Sequence, residues 1–249
     1  MEFILTKDYE AMSIAAAELI IEQIREKPDL TVCLPTGSTP RRMYELLIEA
    51  NKEKRVDFSA VTVLSVDEYA GLSFDHVKSY AHVLHTTFLD KCNFDPGKIF
   101  LMNSGAGDLN AECGRYNRLI EESGGIDLYI DGIGENGHIA FNEPSEQFVL
   151  GVHIGAVSEW TARVNSRFFD SVDEVPKQVI TLGVDDIINS KCVMILSNGP
   201  KKAGAIKRLV TENTITTQFP ASFLKLSQNA VLIMDEETAG EVRDIIQGG

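Results

Sequence analysis

Cysteine, positive charge and long apolar runs are all scarce in this sequence. Its 249 residues include four cysteines, and none forms a CxxC pair, which leaves zinc-ribbon and thioredoxin-like sites without support. Lysine and arginine number 23 against 37 aspartates and glutamates, a net charge of −14 at pH 7. Such an acidic chain is a poor partner for nucleic acid or an anionic membrane, because both need clustered cations. No apolar run reaches the roughly 18 residues that a membrane-spanning helix needs.

The first residues, MEFILTKDYE, lack a basic segment followed by a long apolar stretch. We therefore expect no signal peptide and a cytoplasmic protein. An acidic protein that binds an anionic ligand must hold it with a few local cations and helix ends, because its overall field is repulsive.

Short apolar segments alternate with amphipathic ones along most of the chain. Strands buried on both faces of a parallel sheet are expected at 30–34, 61–66, 99–102, 126–131, 192–196 and 230–234. Helical spacing of apolar residues predicts helices over 8–26, from 40 onwards, and over 75–90, 111–123, 200–210 and 236–247. This alternation predicts βαβ units in one α/β domain that spans residues 1–249.

Ligands bind at the carboxyl ends of the strands in such sheets, so the loops there are the places to look for chemistry. The first is PTGSTP, residues 35–40, in which Gly37 permits a tight turn and Ser38 or Thr39 can cap the next helix. A helix start with free N–H groups is an anion site, although a well-capped helix without a ligand is an equally simple interpretation. The spacing differs from that of a P-loop.

Two carboxylates, Asp67 and Glu68, follow the second apolar segment. Adjacent residues leaving a strand point to opposite sides, so at most one of them should face a site. That residue could be a general base, whereas a helix cap or a surface pair is the alternative for both.

The third loop, GIGENGH at 132–138, contains the letters of a dinucleotide-binding motif. No helical pattern follows it, because the chain runs on through HIAFNEP to Pro144, and this disfavours dinucleotide binding. His138 and Glu143 fit acid–base chemistry better. Further along, Arg167 stands among aromatic residues, and Lys201 and Lys202 follow the segment that ends at 196. These cations suit either phosphate contacts or an ordinary solvated surface.

Taken together, these segments resemble the glucosamine-6-phosphate deaminase family. The matching stretches span nearly the whole chain in family order: LPTGSTP, DEYAGL, GIGENGHIAFNEP, NSRFFD and VPKQVITLGV. The resemblance implies a Rossmann-like three-layer fold with a mostly parallel sheet, of the NagB/RpiA/CoA-transferase type. It also implies a small sugar phosphate as substrate, with neither a cofactor nor a metal.

The family's roles carry over by position. Asp67 matches the base that moves a proton from C2 to C1, His138 the residue that opens the sugar ring, and Glu143 its carboxylate partner. Asn136 takes the third place in that group, where some family members have aspartate, and an amide cannot stabilise an imidazolium as a carboxylate does. The resemblance assigns the phosphate to five residues: Gly37, Ser38, Thr39, Arg167 and Lys202.

Some longer family members are hexamers activated by N-acetylglucosamine 6-phosphate through basic residues after the NEP motif. The corresponding stretch here, residues 145–160, has no lysine or arginine, so we expect no such allosteric site. Residues from about 145 to 176 are expected to form a lid. The sequence leaves a monomer or a homo-oligomer open. The alternatives for function are a 6-phosphogluconolactonase on the same scaffold and a non-catalytic sugar-phosphate sensor.

Overall fold

The computed structural model describes residues 1–248 of the chain. Its strands are β1 (Glu2–Thr6), β2 (Thr31–Leu34), β3 (Thr62–Ser65), β4 (Asp67–Tyr69), β5 (Ile99–Phe100), β6 (Leu128–Gly132), β7 (His153–Ala156), β8 (Gln178–Thr181), β9 (Cys192–Ser197) and β10 (Ala230–Asp235). Its helices are α1 (Tyr9–Glu26), α2 (Arg41–Lys52), α3 (Tyr80–Thr87), α4 (Leu109–Glu122), α5 (Glu159–Asn165), α6 (Val184–Ile188), α7 (Ala203–Thr211), α8 (Glu236–Ala239) and α9 (Arg243–Gly248).

Seven parallel strands form the central sheet in the order β1-β10-β9-β6-β2-β3-β5. Successive strand residues point to opposite faces, so each strand contributes to two cores. Val32 and Leu34 pack with α1, α2 and α3, whereas Cys33 between them packs with α4, α6 and α7. The molecule is therefore a three-layer α/β fold with helices on both faces of the sheet, which confirms the predicted fold class.

The strand order reverses direction between β2 and β6. From β2 the chain continues to β3 and β5 on one side, and from β6 it continues to β9 and β10 on the other. The loops that leave β2 and β6 therefore diverge and leave a crevice at the carboxyl ends of the strands. These are the loops 35–40 and 133–138.

A second, antiparallel sheet of three short strands, β4-β8-β7, lies beyond those carboxyl ends. Strand β4 follows β3 after the single residue Val66, so Asp67 lies within a strand rather than in a loop after one. Tyr69, Phe141, Val175 and Val179 form a small core beside this sheet.

Several predicted boundaries differ from the structure. The helix expected over 75–90 begins only at Tyr80, because Ser79 caps it and residues 75–79 form turns. The helix expected over 236–247 is interrupted at Gly240, whose φ of +44° breaks the helical path. Neither Ser38 nor Thr39 caps α2, where the hydroxyl of Tyr9 accepts from the Arg42 N–H instead. No helix among the described residues is long and apolar enough to cross a membrane.

Candidate active site

A cleft of about 740 Å³ opens at the carboxyl ends of β2 and β6. Its floor is the loop after β2, its walls come from β4 and the loop after β6, and α5 with the turn that follows forms its roof. The lining residues are Pro35, Thr36, Gly37, Ser38, Thr39, Pro40, Asp67, Tyr80, Asp131, Gly132, Ile133, Gly134, His138, Ala140, Phe141, Thr161, Asn165, Arg167, Phe168 and Lys202. Seven of the nine predicted site residues thus line one cavity, and the other two, Asn136 and Glu143, lie behind His138.

The loop after β2 is shaped as an anion cradle. Gly37 has a φ of +104°, which a residue with a side chain rarely adopts, and it turns the chain toward α2. The hydroxyl of Tyr9, which does not line the cleft, lies 3.1 Å from the carbonyl oxygens of both Ser38 and Thr39. No acceptor within residues 1–248 pairs with the backbone N–H groups of Gly37, Ser38 and Thr39. These groups are therefore free to bind an anion.

Two cations complete this end of the cleft. Lys202 is largely buried and donates to the carbonyl of Ile133, and burial lowers its pKa. Arg167 is more exposed, and its guanidinium lies 4.7 Å from the centre of the Phe168 ring. Lys201 lines only an adjoining cavity, so Lys202 is the lysine that faces the main cleft. An anion held by the loop would meet both charges.

Three side chains form a hydrogen-bonded series behind the cleft. The Nδ1 atom of His138 lies 2.7 Å from Oδ1 of Asn136, and Nδ2 of Asn136 donates to Oε2 of Glu143 at 2.8 Å. The Glu143 carboxylate is 3.8 Å from Nδ1 of His138, so Asn136 bridges them. The other carboxylate oxygen accepts from the hydroxyls of Ser158 and Thr161 at the start of α5.

This series fixes the tautomer of His138. A carboxylate can only accept, so the Asn136 NH₂ group must face Glu143 and its oxygen must face the imidazole. The imidazole therefore carries its hydrogen on Nδ1, and Nε2 keeps a lone pair. Burial lowers the pKa of His138 to about 4, which the negative charge of Glu143 only partly offsets. At neutral pH the ring is an uncharged proton acceptor.

A glycine makes room for that ring. A Cβ at Gly134 would lie 2.3 Å from Nδ1 of His138, so no larger residue fits there without moving the imidazole. The loop closes on itself through a bond from Gly134 N–H to the His138 carbonyl at 2.9 Å. Gly134 thus serves close packing around a histidine, and Gly137 leaves room for the ring of Phe219.

Asp67 and Glu68 take different roles, as their adjacent positions in a strand predict. Asp67 lines the cleft, and burial raises the pKa of its carboxyl well above the usual value. Glu68 points away and accepts from the Ser79 hydroxyl and from the N–H groups of Tyr80 and Ala81, each within 2.9 Å. Glu68 therefore caps α3, while Asp67 is free for chemistry.

Sequence reasoning missed five polar residues that line the cleft: Thr36, Tyr80, Asp131, Thr161 and Asn165. Asp131 carried a usable signal, because it is a carboxylate at the end of an apolar strand. Asn165 belongs to the NSRFFD stretch, and its amide donates to the Tyr69 hydroxyl at 2.9 Å. Tyr80 and Thr161 had no local signal, since only the tertiary fold brings them to the cleft.

The described residues contain no group of three or more His, Cys, Asp or Glu side chains placed to hold a metal ion. His76, His82 and His85, which the sequence places in one helical segment, are divided by the late start of α3 at Tyr80. Among them, His85 pairs with Asp90 at 2.8 Å on the surface.

Comparison with known proteins identifies the family of this chain. The model of the family of glucosamine-6-phosphate isomerases and 6-phosphogluconolactonases matches residues 7–233. The chain belongs to this family. Among curated relatives, a protein of Clostridium perfringens is 41% identical over 239 residues, 96% of this chain and 98% of the relative. One of a Thermoanaerobacter species is 43% identical over 244 residues, 98% of this chain and 96% of the relative. Both carry the name glucosamine-6-phosphate deaminase.

Solved structures of the family separate into near and distant neighbours. A monomeric glucosamine-6-phosphate deaminase has a TM-score of 0.93 and 38% identity, covering 96% of this chain and 99% of its own. A 6-phosphogluconolactonase from Trypanosoma brucei has a TM-score of 0.72 and 20% identity, covering 96% and 97%. The second likeness shows a shared fold alone, whereas the first extends to the sequence. The resemblance predicted from the motifs is confirmed.

Proposed function

We propose that the protein is a glucosamine-6-phosphate deaminase, which converts glucosamine 6-phosphate and water to fructose 6-phosphate and ammonia. The observation that carries the proposal is that Asp67 and His138 open onto one cleft whose far end is an anion cradle. Relatives that match nearly the full length carry the same name, which supports it further.

The cradle and its cations suit the 6-phosphate. The free N–H groups of Gly37, Ser38 and Thr39 would bind phosphate oxygens, and Arg167 and Lys202 would supply charge. Anchoring the phosphate fixes the far end of the sugar, so C1 and C2 are held in a fixed orientation relative to the catalytic side chains. Local cations of this kind also overcome the repulsion of an acidic protein.

His138 is suited to ring opening. Its Nε2 lone pair can take the proton from the O1 hydroxyl and return it to O5 as the C1–O5 bond breaks, which leaves an aldehyde at C1. Asn136 and Glu143 keep the ring in the required tautomer and orientation. The positive charge that develops on the imidazole is stabilised by Glu143 at 3.8 Å.

Asp67 is suited to the isomerisation that follows. It would take the proton from C2 while O1 gains a proton from water, which gives an enolamine, and then return its proton to C1 to give a protonated imine at C2. Water then adds to C2 and ammonia leaves, which yields the ketone. Burial raises the pKa of Asp67, so the carboxylate is a stronger base than an exposed one. No electrons are transferred between molecules in these steps, so they call for no redox cofactor.

A direct assay of ammonia release from glucosamine 6-phosphate tests the proposal, with Asp67→Asn beside the wild type. We expect the wild type to release ammonia and the rate to fall by at least about 10²-fold in Asp67→Asn, because the amide cannot accept the C2 proton. The exposed Asp90→Asn provides a control that leaves the cleft intact. Hydrolysis of 6-phosphogluconolactone without ammonia release would favour the lactonase alternative, and sugar-phosphate binding without turnover would favour a sensor.

The proposal includes the setting of the enzyme. The four cysteines are free thiols, which suits a reducing compartment, and we place the protein in the cytoplasm in N-acetylglucosamine catabolism. We treat residues 1–249 as one catalytic domain with a lid at about 145–176. In support of the lid, Thr161, Asn165, Arg167 and Phe168 from that segment roof the cleft. Protease sensitivity with and without glucosamine 6-phosphate tests the closure.

A further inference from the structure

Asp131 is a carboxylate in the cleft that the steps above do not use. It lies near the end of β6, at the switch point of the sheet, and lines the cavity together with Asp67 and His138. Burying a carboxylate costs folding free energy unless hydrogen-bond donors or cations compensate its charge. The groups that contact Asp131 therefore indicate its role.

Three donors converge on the Asp131 carboxylate. The Gly132 N–H donates to Oδ1 at 2.7 Å, and the Tyr129 hydroxyl and the Ala140 N–H donate to Oδ2 at 2.7 and 2.8 Å. The two backbone N–H groups cannot accept, so protonating Asp131 would disturb this arrangement. Burial raises the pKa of Asp131, while the three hydrogen bonds and the nearby charge of Lys202 oppose that rise.

Asp67 has the opposite environment. No group within the described chain donates a hydrogen bond to its side chain, and Asp67 is buried whereas Asp131 is only partly buried. Burial raises the pKa of Asp67 most, and the charges of Asp131 and Glu68 raise it further. The other titratable groups that interact with Asp67 are neutral at ordinary pH: Cys33, Tyr69, Tyr80 and Tyr129. Of the two cleft aspartates, Asp67 is therefore the one that takes a proton.

Asp131 also shapes the loop that carries His138. Ala140 has a φ of +52°, which is unfavourable for a residue with a side chain. Its N–H is the group that Asp131 holds, and the next N–H, of Phe141, donates to the Thr181 hydroxyl at 3.1 Å. These two bonds hold the chain in the unusual turn directly after His138.

We propose that Asp131 is a positioning residue of the active site, which holds the His138 loop through Ala140 and places a fixed negative charge beside Asp67. This inference rests on the proposed deaminase function. The charge keeps the proton affinity of Asp67 high, so the base binds the C2 proton firmly during its transfer to C1. The two aspartates of the cleft thus have different roles: Asp131 stays ionised and held by its hydrogen bonds, whereas Asp67 exchanges protons with the substrate.

The pH dependence of kcat/KM for ammonia release tests the charge. The rate falls on the acid side as the free enzyme's base becomes protonated. In Asp131→Asn the like charge is gone, so we expect this acid limb to move to lower pH by roughly one unit, since a neighbouring carboxylate produces shifts of that order. Tyr129→Phe removes one hydrogen bond and keeps the charge, so its acid limb should stay in place. An unmoved limb in Asp131→Asn, or equal shifts in both variants, would overturn the proposal.

A second measurement does not depend on turnover or on the folding of Asp131→Asn. Carbon-13 NMR of aspartate carboxyls in the wild-type protein, with Asp67→Asn for assignment, follows both groups through a pH titration. We expect Asp131 to remain ionised throughout the range in which Asp67 titrates. If Asp131 takes up a proton at higher pH than Asp67 does, the proposal about Asp131 is wrong, even for an enzyme that releases ammonia. If the protein releases no ammonia, the deaminase proposal fails, but the titration still shows which aspartate takes the proton.

Discussion

The imidazole of His138 donates from Nδ1 to the side-chain oxygen of Asn136 at 2.7 Å, so an amide rather than a carboxylate orients the histidine. Glu143 lies one hydrogen bond further away, at 2.8 Å from the Asn136 nitrogen. The carboxylate charge of Glu143 thus acts on the imidazole across an uncharged amide. Burial lowers the pKa of His138 to about 4, and the charge of Glu143, acting across this bridge, offsets only part of that effect.

Asn136→Asp should raise the pKa of His138. A carboxylate in direct contact with Nδ1 stabilises the imidazolium more than the amide does. The new charge also faces Glu143, so one of the two carboxyls should hold a proton below neutral pH. NMR titration of the His138 ring in the free protein measures this, with Asn136→Ala as the variant that removes the amide without adding charge. A pKa that stays near 4 in the aspartate variant would contradict the bridging role.

Gly134→Ala should displace the imidazole. The added Cβ would lie 2.3 Å from Nδ1, and a shift of about 1 Å in a catalytic group costs on the order of 10²-fold in rate. We expect kcat to fall by that factor, while binding of inorganic phosphate at the cradle changes little. Gly107→Ala is the matched control, because its Cβ would meet no atom within 4 Å. Equal kcat values in the two variants would show that the close contact is unimportant.

Trp160 should report substrate binding. It is the single tryptophan of the chain, 37% of it is exposed, and its ring lies 6.3 Å from that of His138, centre to centre. It lines the cavity that adjoins the phosphate cradle, so a bound sugar phosphate should shield it from water and shift its emission to shorter wavelength. Fluorescence titration with glucosamine 6-phosphate measures this, and glucose without phosphate is the control. No change at saturating substrate would place Trp160 outside the bound complex.

Asp127→Asn should destabilise the protein without affecting catalysis. Burial alone would raise the pKa of Asp127, but hydrogen bonds from Lys191 and Lys27, at 2.7 and 2.6 Å, outweigh it and lower the pKa overall. A lowered folded-state pKa stabilises the fold above the unfolded value and loses that contribution as pH falls through the folded one. We expect a cost of about 1–3 kcal/mol at pH 7 that shrinks as the pH falls through the lowered folded-state pKa of Asp127, measured by urea unfolding. A cost independent of pH would refute the ionic explanation.

N-acetylglucosamine 6-phosphate should not activate the enzyme. Residues 145–160 contain no lysine or arginine to bind its phosphate. Initial rates should therefore depend hyperbolically on glucosamine 6-phosphate, and adding the acetylated sugar should not raise them. A sigmoidal curve that becomes hyperbolic with this effector would reveal an allosteric site elsewhere.

Six of the seven strands of the central sheet were predictable because they are almost entirely apolar and alternate with amphipathic helices, whereas the edge strand β1 (Glu2–Thr6) was not predicted. The small sheet was not, because strands such as Asp67–Tyr69 are short and polar and depend on tertiary pairing with Gln178–Thr181. The resemblance grouped His138, Asn136 and Glu143, but the order in which they touch, with Asn136 between the other two, was beyond the sequence, since the loop conformation decides it. Glu68 shows the same limit: its strand position predicts that it faces away from Asp67, but its role as the cap of α3 emerges only from the fold.

Glu143 accepts hydrogen bonds from two directions, from Asn136 behind the histidine and from Ser158 and Thr161 at the start of α5. If the lid proposed above moves, seating α5 and aligning the imidazole would be coupled through this one carboxylate. A ligand that left α5 raised would leave Glu143 with fewer partners and His138 without its full support. Under the lid proposal, proton exchange with the sugar would begin only after bulk water has been excluded.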